Sequence, residues 1–361
     1  MSMKDKSNWT RRQFLTTSAV GAVALTAPAI WTSANAQSKR IIVRDDGGIY
    51  TKAYNAVYYG PFKEATGIEV VGVQANAEPT AQIKSMVDAG SYTWDMAKIS
   101  EPAIELLTAG EKKYLEKHGL SSEAAIATLP KQYVSEYGVG TNVYTTVLAY
   151  RTDVFEGREA PKSWSDFFDT EKFSGRRALR KHAFDTIEQA LMADGVANSD
   201  VYPCDIERAF KKLDTIKKDV GVFWTSGSQV EQMLQSGEVD MIPTWVSRAQ
   251  SARSAGAPVE IVWDQNIWGL DNWSILAGSP NADACREFIK FASDPKRQAA
   301  LVDYFPAGVT QPEAFEFIDP KLAKDCPTFP EHIERGVKID AKYWLANQAS
   351  VIERYNAWLL S

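Results

Sequence analysis

The 361-residue chain is poor in the residues that build metal and redox centres, with three cysteines and three histidines. Cys204, Cys285 and Cys326 match no zinc or C-x-x-C spacing. His118, His182 and His332 lie far apart in sequence, which argues against a metal cluster. In an oxidising compartment one disulfide, Cys285–Cys326, stands beside the alternative of three free, buried thiols. There is no Walker loop, no G-x-S-x-G elbow and no H-E-x-x-H. Their absence weakens an enzyme reading without closing it, since catalytic triads are assembled in space rather than in sequence. Positive charge is not in excess: the formal net charge is −6, which argues against a polyanionic partner such as nucleic acid. No stretch beyond the N-terminus approaches the 18 or so apolar residues of a membrane span. No internal repeat and no low-complexity linker is present.

What is present begins at the N-terminus. Thr10-Arg11-Arg12-Gln13-Phe14-Leu15 precedes a weakly apolar run over residues 16–30 and then Ala34-Asn35-Ala36. A basic region, a short apolar region and an A-x-A site in that order predict a secretory signal over residues 1–36, cleaved after Ala36. The paired arginines point to the twin-arginine translocase, and hence to a periplasmic product. That segment carries Lys4, Lys6, Arg11 and Arg12 against Asp5, so the remaining chain has a formal charge of −9. The 325 residues left suggest two domains. Eleven tryptophans and 11% aromatic residues suit a packed core, and equally a flat or cationic small molecule.

Strand and helix patterns then alternate. Strands are predicted at residues 40–43, 68–73 and 94–99, with helices at 50–62, 79–90 and 102–110 between and after them. This β-α-β-α-β order predicts a parallel sheet covered by helices. Residues 143–150 read as a strand leaving the first domain. Further strands are predicted at 177–181, 220–224, 239–244, 259–263 and 272–277, interleaved with helices, and the chain beyond residue 282 is mostly helical. Ligands of such sheets sit beyond the carboxyl ends of strands, which selects Asp45-Asp46-Gly47-Gly48 and Ser100-Glu101. The glycine pair equally suits a plain tight turn.

The ordered set of short motifs resembles the extracellular solute-binding proteins of ABC importers. Phe62-Lys63-Glu64-Ala65-Thr66-Gly67-Ile68, Pro161-Lys162-Ser163-Trp164-Ser165-Asp166, Phe173-Ser174-Gly175, Gln235-Ser236-Gly237-Glu238-Val239 and Ser293-Asp294-Pro295 carry the likeness. The resemblance implies a two-lobed α/β type II periplasmic binding fold with a hinge and a central ligand cleft. It places lobe 1 at residues 37–149 plus 272–311 and lobe 2 at 150–271 plus 312–361. The hinge is expected near residues 148–151 and 270–273. It also implies a monomer that binds a small organic solute, delivers it to a membrane permease, and needs neither cofactor nor metal.

Within that family the spermidine/putrescine-binding branch is the most similar, and a polyamine-like cation is the favoured solute. The implied ligand-binding set is Asp46, Tyr50, Ser100, Glu101, Tyr144, His182, Asp185, Trp224, Trp245, Asp271 and Trp273. Each member has a plainer alternative: Asp185 as a helix cap, and the tryptophans as core. Trp263, Trp344 and Trp358 are assigned to packing. One departure stands out, since Arg180-Lys181-His182 lies where that branch is acidic. Basic groups there repel a diamine and attract a carboxylate. Arg180 and Arg248 are therefore the expected anion contacts if the solute is zwitterionic or anionic. A secreted enzyme or a sensor on the same scaffold are the rival classes.

Overall fold

Each strand predicted from a β-branched or apolar run overlaps a strand of the structure. A computed structural model describes residues 40–75 and 79–361, so the expected signal segment lies outside the described residues. The strands are β1 (Arg40–Asp45), β2 (Glu69–Gln74), β3 (Met96–Ser100), β4 (Leu115–Glu116), β5 (Val139–Arg151), β6 (Arg177–Arg180), β7 (Val220–Trp224), β8 (Met241–Trp245), β9 (Val259–Leu276) and β10 (Val337–Lys338). They form one sheet in the order β2-β1-β3-β9-β5-β8-β6-β7, with β4 and β10 both pairing β9.

The sheet is mixed rather than parallel. β1 pairs with β2 and β3 in parallel, and β6 pairs with β7 and β8 in parallel. Between these two groups run the antiparallel strands β9 and β5, 18 and 13 residues long. The predicted strands at 259–263 and 272–277 are thus one continuous element. Of the intervening residues, 267–271 pair with β5, and 263–266 bulge out of register where the pairing slips between Thr146 and Leu148 without ending the strand. Along these strands the partners change: β5 pairs with β8 over Thr146–Tyr150, and β9 pairs with β3 over Asp271–Ile275. The register couples Thr145 to Trp268 and Thr146 to Ile267, where one group of strands gives way to the other.

The two largest of the buried apolar clusters among the described residues flank this crossing, one in each lobe. One gathers Ile41, Tyr54, Tyr58, Phe62, Trp273 and Phe288; the other gathers Trp164, Phe167, Leu179, Ile187, Phe210 and Trp358. The terminal helix Ala341–Leu360 is anchored along its length by the buried Trp344, Val351, Tyr355 and Trp358. The first helix is interrupted by a π-turn at Asn55–Tyr59 just before Pro61, which the tyrosine spacing alone did not show. The three cysteines are free and buried, so the Cys285–Cys326 disulfide does not form. Apolar packing accounts for their burial instead.

Candidate functional site

The site starts from the turn after β1. Gly47 and Gly48 both adopt positive φ, at 75° and 57°. A Cβ on Gly47 would lie 2.3 Å from the side chain of Gln74, so this turn requires glycine. Asp45 fixes it from below: one carboxylate oxygen accepts from the Gly47 amide at 2.9 Å and the Thr51 hydroxyl at 2.5 Å, and the other accepts from Tyr59 at 2.9 Å. That leaves Asp46 at the cleft, with Tyr50 one turn into the helix behind it.

A cavity of about 500 Å³ opens where the two groups of strands face each other. One wall holds Arg44, Asp46, Tyr50, Lys98, Ser100 and Asp271; the other holds Arg180, His182, Asp185, Trp245, Ser247 and Arg248. Asn142 and Tyr144 of β5 form the floor between them. Tyr144 stands opposite Gly269 on β9, where any Cβ would collide with its phenol ring at 2.3–2.9 Å. Ile339 and Trp344 of the C-terminal segment close one side.

On the first wall Lys98 is the centre. Its ammonium bonds to Asp46 and, at 2.5 Å, to Asp271, and it lies 5.2 Å from the centroid of the Tyr50 ring. Burial alone would lower the Lys98 pKa, but Asp271 and Asp46 outweigh it and hold the lysine well above its usual value. Asp271 itself is raised, by burial first and by its neighbour Asp46 next, against the pull of Lys98. Arg44 donates to Asp46 at 3.3 Å and to the Lys98 carbonyl oxygen at 2.6 Å.

The second wall is built on an ion pair. Arg180 donates to Asp185 at 2.9 Å, and the Thr146 hydroxyl donates to the same carboxylate oxygen at 3.0 Å. The guanidinium lies 4.9 Å from the Trp245 ring centroid, and Trp224 stands edge-on behind Trp245 at 5.5 Å. Asp185 occupies the position before the helix Thr186–Ala193, yet its side chain makes no cap bond, so the capping alternative fails. Its φ of 67° places a non-glycine residue in the left-handed region, which costs on the order of 1 kcal/mol and turns the carboxylate to Arg180. Burial raises the Asp185 pKa and Arg180 opposes the rise. His182 is pushed down to about 4, by burial and then by Arg180, so it is neutral at pH 7. Arg248 pairs with Glu231 at 2.8 Å.

Three residues of the sequence-derived set lie elsewhere. Glu101 pairs with Lys338 at 2.9 Å outside the cavity lining. Trp224 is buried behind Trp245 and supports the wall without lining it. Trp273 belongs to the first core, edge-on to Tyr54 at 5.6 Å and to Phe288 at 5.5 Å. It shares a face of β9 with Asp271, but two residues further along it lies beneath the first helix. Conversely, Lys98, Arg44, Asn142, Ser247 and Trp344 line the cleft and were missed. A lysine inside the buried strand Met-Ala-Lys-Ile-Ser was the available signal, because lysine is rarely buried without a partner. Trp344 reaches the cleft although its indole nitrogen is tied to Glu188 at 2.7 Å.

Two lobes joined by long shared strands, with charged and aromatic side chains of both meeting in one cleft, define a solute-binding protein. The chain belongs to the bacterial extracellular solute-binding proteins, whose family model matches residues 58–328. It is a substrate-binding, non-enzymatic component of an ABC transporter. It is 33% identical over 339 residues to the gamma-aminobutyric acid-binding protein of Pseudomonas aeruginosa, covering 91% of this chain and 94% of that one. A solved ABC transporter substrate-binding protein from Bradyrhizobium japonicum superposes with TM-score 0.83 at 34% identity, over 89% of this chain and 99% of that one. A solved GABA receptor superposes with TM-score 0.78, also at 34% identity, over 89% and 98%. The spermidine/putrescine-binding periplasmic protein of Escherichia coli is more distant, at 24% identity over 296 residues, 77% of this chain and 82% of that one.

Proposed function

We propose that the cleft captures a zwitterionic amino acid of the γ-aminobutyrate type rather than a polyamine. The carrying observation is the charge of the lining: Arg44, Lys98 and Arg180 match Asp46, Asp185 and Asp271 one for one, and Arg248, which also lines the cavity, is paired with Glu231. A lining with no net negative charge is a poor host for a dication or trication and suits a molecule that carries its own carboxylate. Arg180, paired with Asp185 and 4.9 Å from the Trp245 ring centroid, receives that carboxylate, with Arg248 on the same wall. The names of two relatives at 33–34% identity point the same way.

In this reading the lobes close on the solute by bending β5 and β9 at Thr145–Thr146 and Ile267–Trp268, where the strand partners change. That places the hinge a few residues from the expected positions. The closed monomer, exported by the twin-arginine route and released after Ala36, docks on its permease in the periplasm. Micromolar capture needs about −8 kcal/mol, within reach of one desolvated carboxylate contact and aromatic walls. Titration calorimetry of residues 37–361 with γ-aminobutyrate, putrescine, spermidine and succinate tests the assignment. Heat with γ-aminobutyrate alone supports it; heat with putrescine or spermidine and none with γ-aminobutyrate overturns it.

A further inference from the structure

We propose that Lys98 is the built-in occupant of an alkylammonium site, and that it sets specificity by denying that site to diamines. Asp46, Asp271 and the face of Tyr50 converge on one ammonium, and that ammonium is the protein's own. Two carboxylates and an aromatic face are the complete equipment for binding a primary amine. The lysine that fills it is only 2% exposed at its side chain, yet the residue lines the solute cavity rather than the core. Asn142 stands 3.5 Å from the same Asp271 oxygen, a second donor to the acidic end.

Lysine suits this role because its head is a compact point charge on a four-carbon stem, so it mimics a free alkylamine. The stem rises from β3, directly opposite Trp273 on β9, and the head ends between a carboxylate from the β1 turn and one from β9. With Arg44 also paired to Asp46, the two carboxylates are matched by two of the protein's own cations, and the first wall presents no net anion to a solute. A diamine would have to displace a tethered cation or lie beside it. The inference rests on the cleft being the solute site and on its solute not being a diamine.

The test is Lys98→Ala, which removes Cγ through Nζ and leaves a gap shaped for n-propylammonium. Thermal melting and titration calorimetry are run with n-propylammonium, putrescine and, as the uncharged control, n-propanol. The wild-type chain is expected not to respond to the amines. The variant is expected to bind propylammonium and putrescine at least about tenfold more tightly than wild type does, with propanol inert. A folded K98A chain whose melting is unmoved by either amine overturns the proposal. Should K98A fail to fold in chloride buffer, its refolding yield is compared in propylammonium and in propanol at equal ionic strength. Recovery in the amine alone supports the proposal, and equal failure in both refutes it. The double variant K98A/D271N, with one cage charge removed, is expected to lose the amine response. Wild-type binding of γ-aminobutyrate is measured separately, so failure of the solute assignment stays distinguishable from failure of the cage.

Discussion

Arg180 offers the sharpest test of how this cleft recognises solute. Its guanidinium neutralises Asp185, whose side chain is 4% exposed, while its own is 21% exposed. Replacing Arg180 by Gln removes the proposed carboxylate contact and also strands Asp185 with the Thr146 hydroxyl. Truncating one partner of a buried pair costs about 3–5 kcal/mol, and the partial exposure of Arg180 puts this site at the lower end. The single variant therefore mixes a folding loss with a binding loss. Arg180→Gln combined with Asp185→Asn separates them, because the remaining wall is neutral and hydrogen-bonded. The double variant is expected to recover most of the melting temperature. Its affinity for γ-aminobutyrate is expected to stay about 2–4 kcal/mol weaker, roughly 30- to 700-fold in Kd. Asp185→Asn alone leaves Arg180 in place and is expected to change Kd by less than about threefold, whereas it would cripple a diamine site. Calorimetry on the three variants with melting curves alongside reads all of these. If R180Q/D185N folds like wild type and binds γ-aminobutyrate within about threefold of it, the carboxylate is not read by Arg180 and the reasoning fails.

Other outcomes follow from the same geometry. Trp273→Ala is expected to cost about 3–5 kcal/mol of stability while leaving Kd nearly unchanged, and Trp245→Ala is expected to weaken binding with the smaller folding loss. Denaturation and calorimetry read the pair, and a binding loss specific to Trp273 would return it to the cleft wall. Glu188 is fully buried against Tyr202 and Trp344, and burial followed by repulsion from Asp185 raises its pKa to about 7. The native state therefore holds a proton that the unfolded chain has lost between about pH 4.5 and 7, so this group's contribution falls as pH rises through that window. The loss is on the order of 3 kcal/mol by pH 8, and Glu188→Gln is expected to flatten it; a wild-type melting curve with the same pH dependence as E188Q would contradict this. All three thiols are expected to react in the unfolded, unreduced chain and none in the native one, with no effect of dithiothreitol on melting. Fewer than three thiols in the unfolded chain would restore a disulfide.

The sequence carried the class of protein because local rules set it. Strand runs such as Arg40–Asp45, the Gly67 helix stop and the Ser163 cap act over a few residues and need no tertiary partner. The turn after β1 and the Arg180-Lys181-His182 departure were equally visible, and with them the residues that bring charge to the cleft. Tertiary structure decided the rest. Residues 259–276 became one strand because β5 pairs with them on both sides of a bulge, at 259–262 and at 267–273, and that continuity places the crossing between the lobes. Trp273 and Asp271 have the same spacing rules, but the first helix covers one and the cleft exposes the other. The charge of the site was also undecidable from residue types. Asp46 and Asp271 read as open carboxylates until Lys98, 52 and 173 residues away along the chain, is folded between them. Electrostatic recognition depends on which charges are already paired, and pairing over such separations is fixed only when the strands assemble.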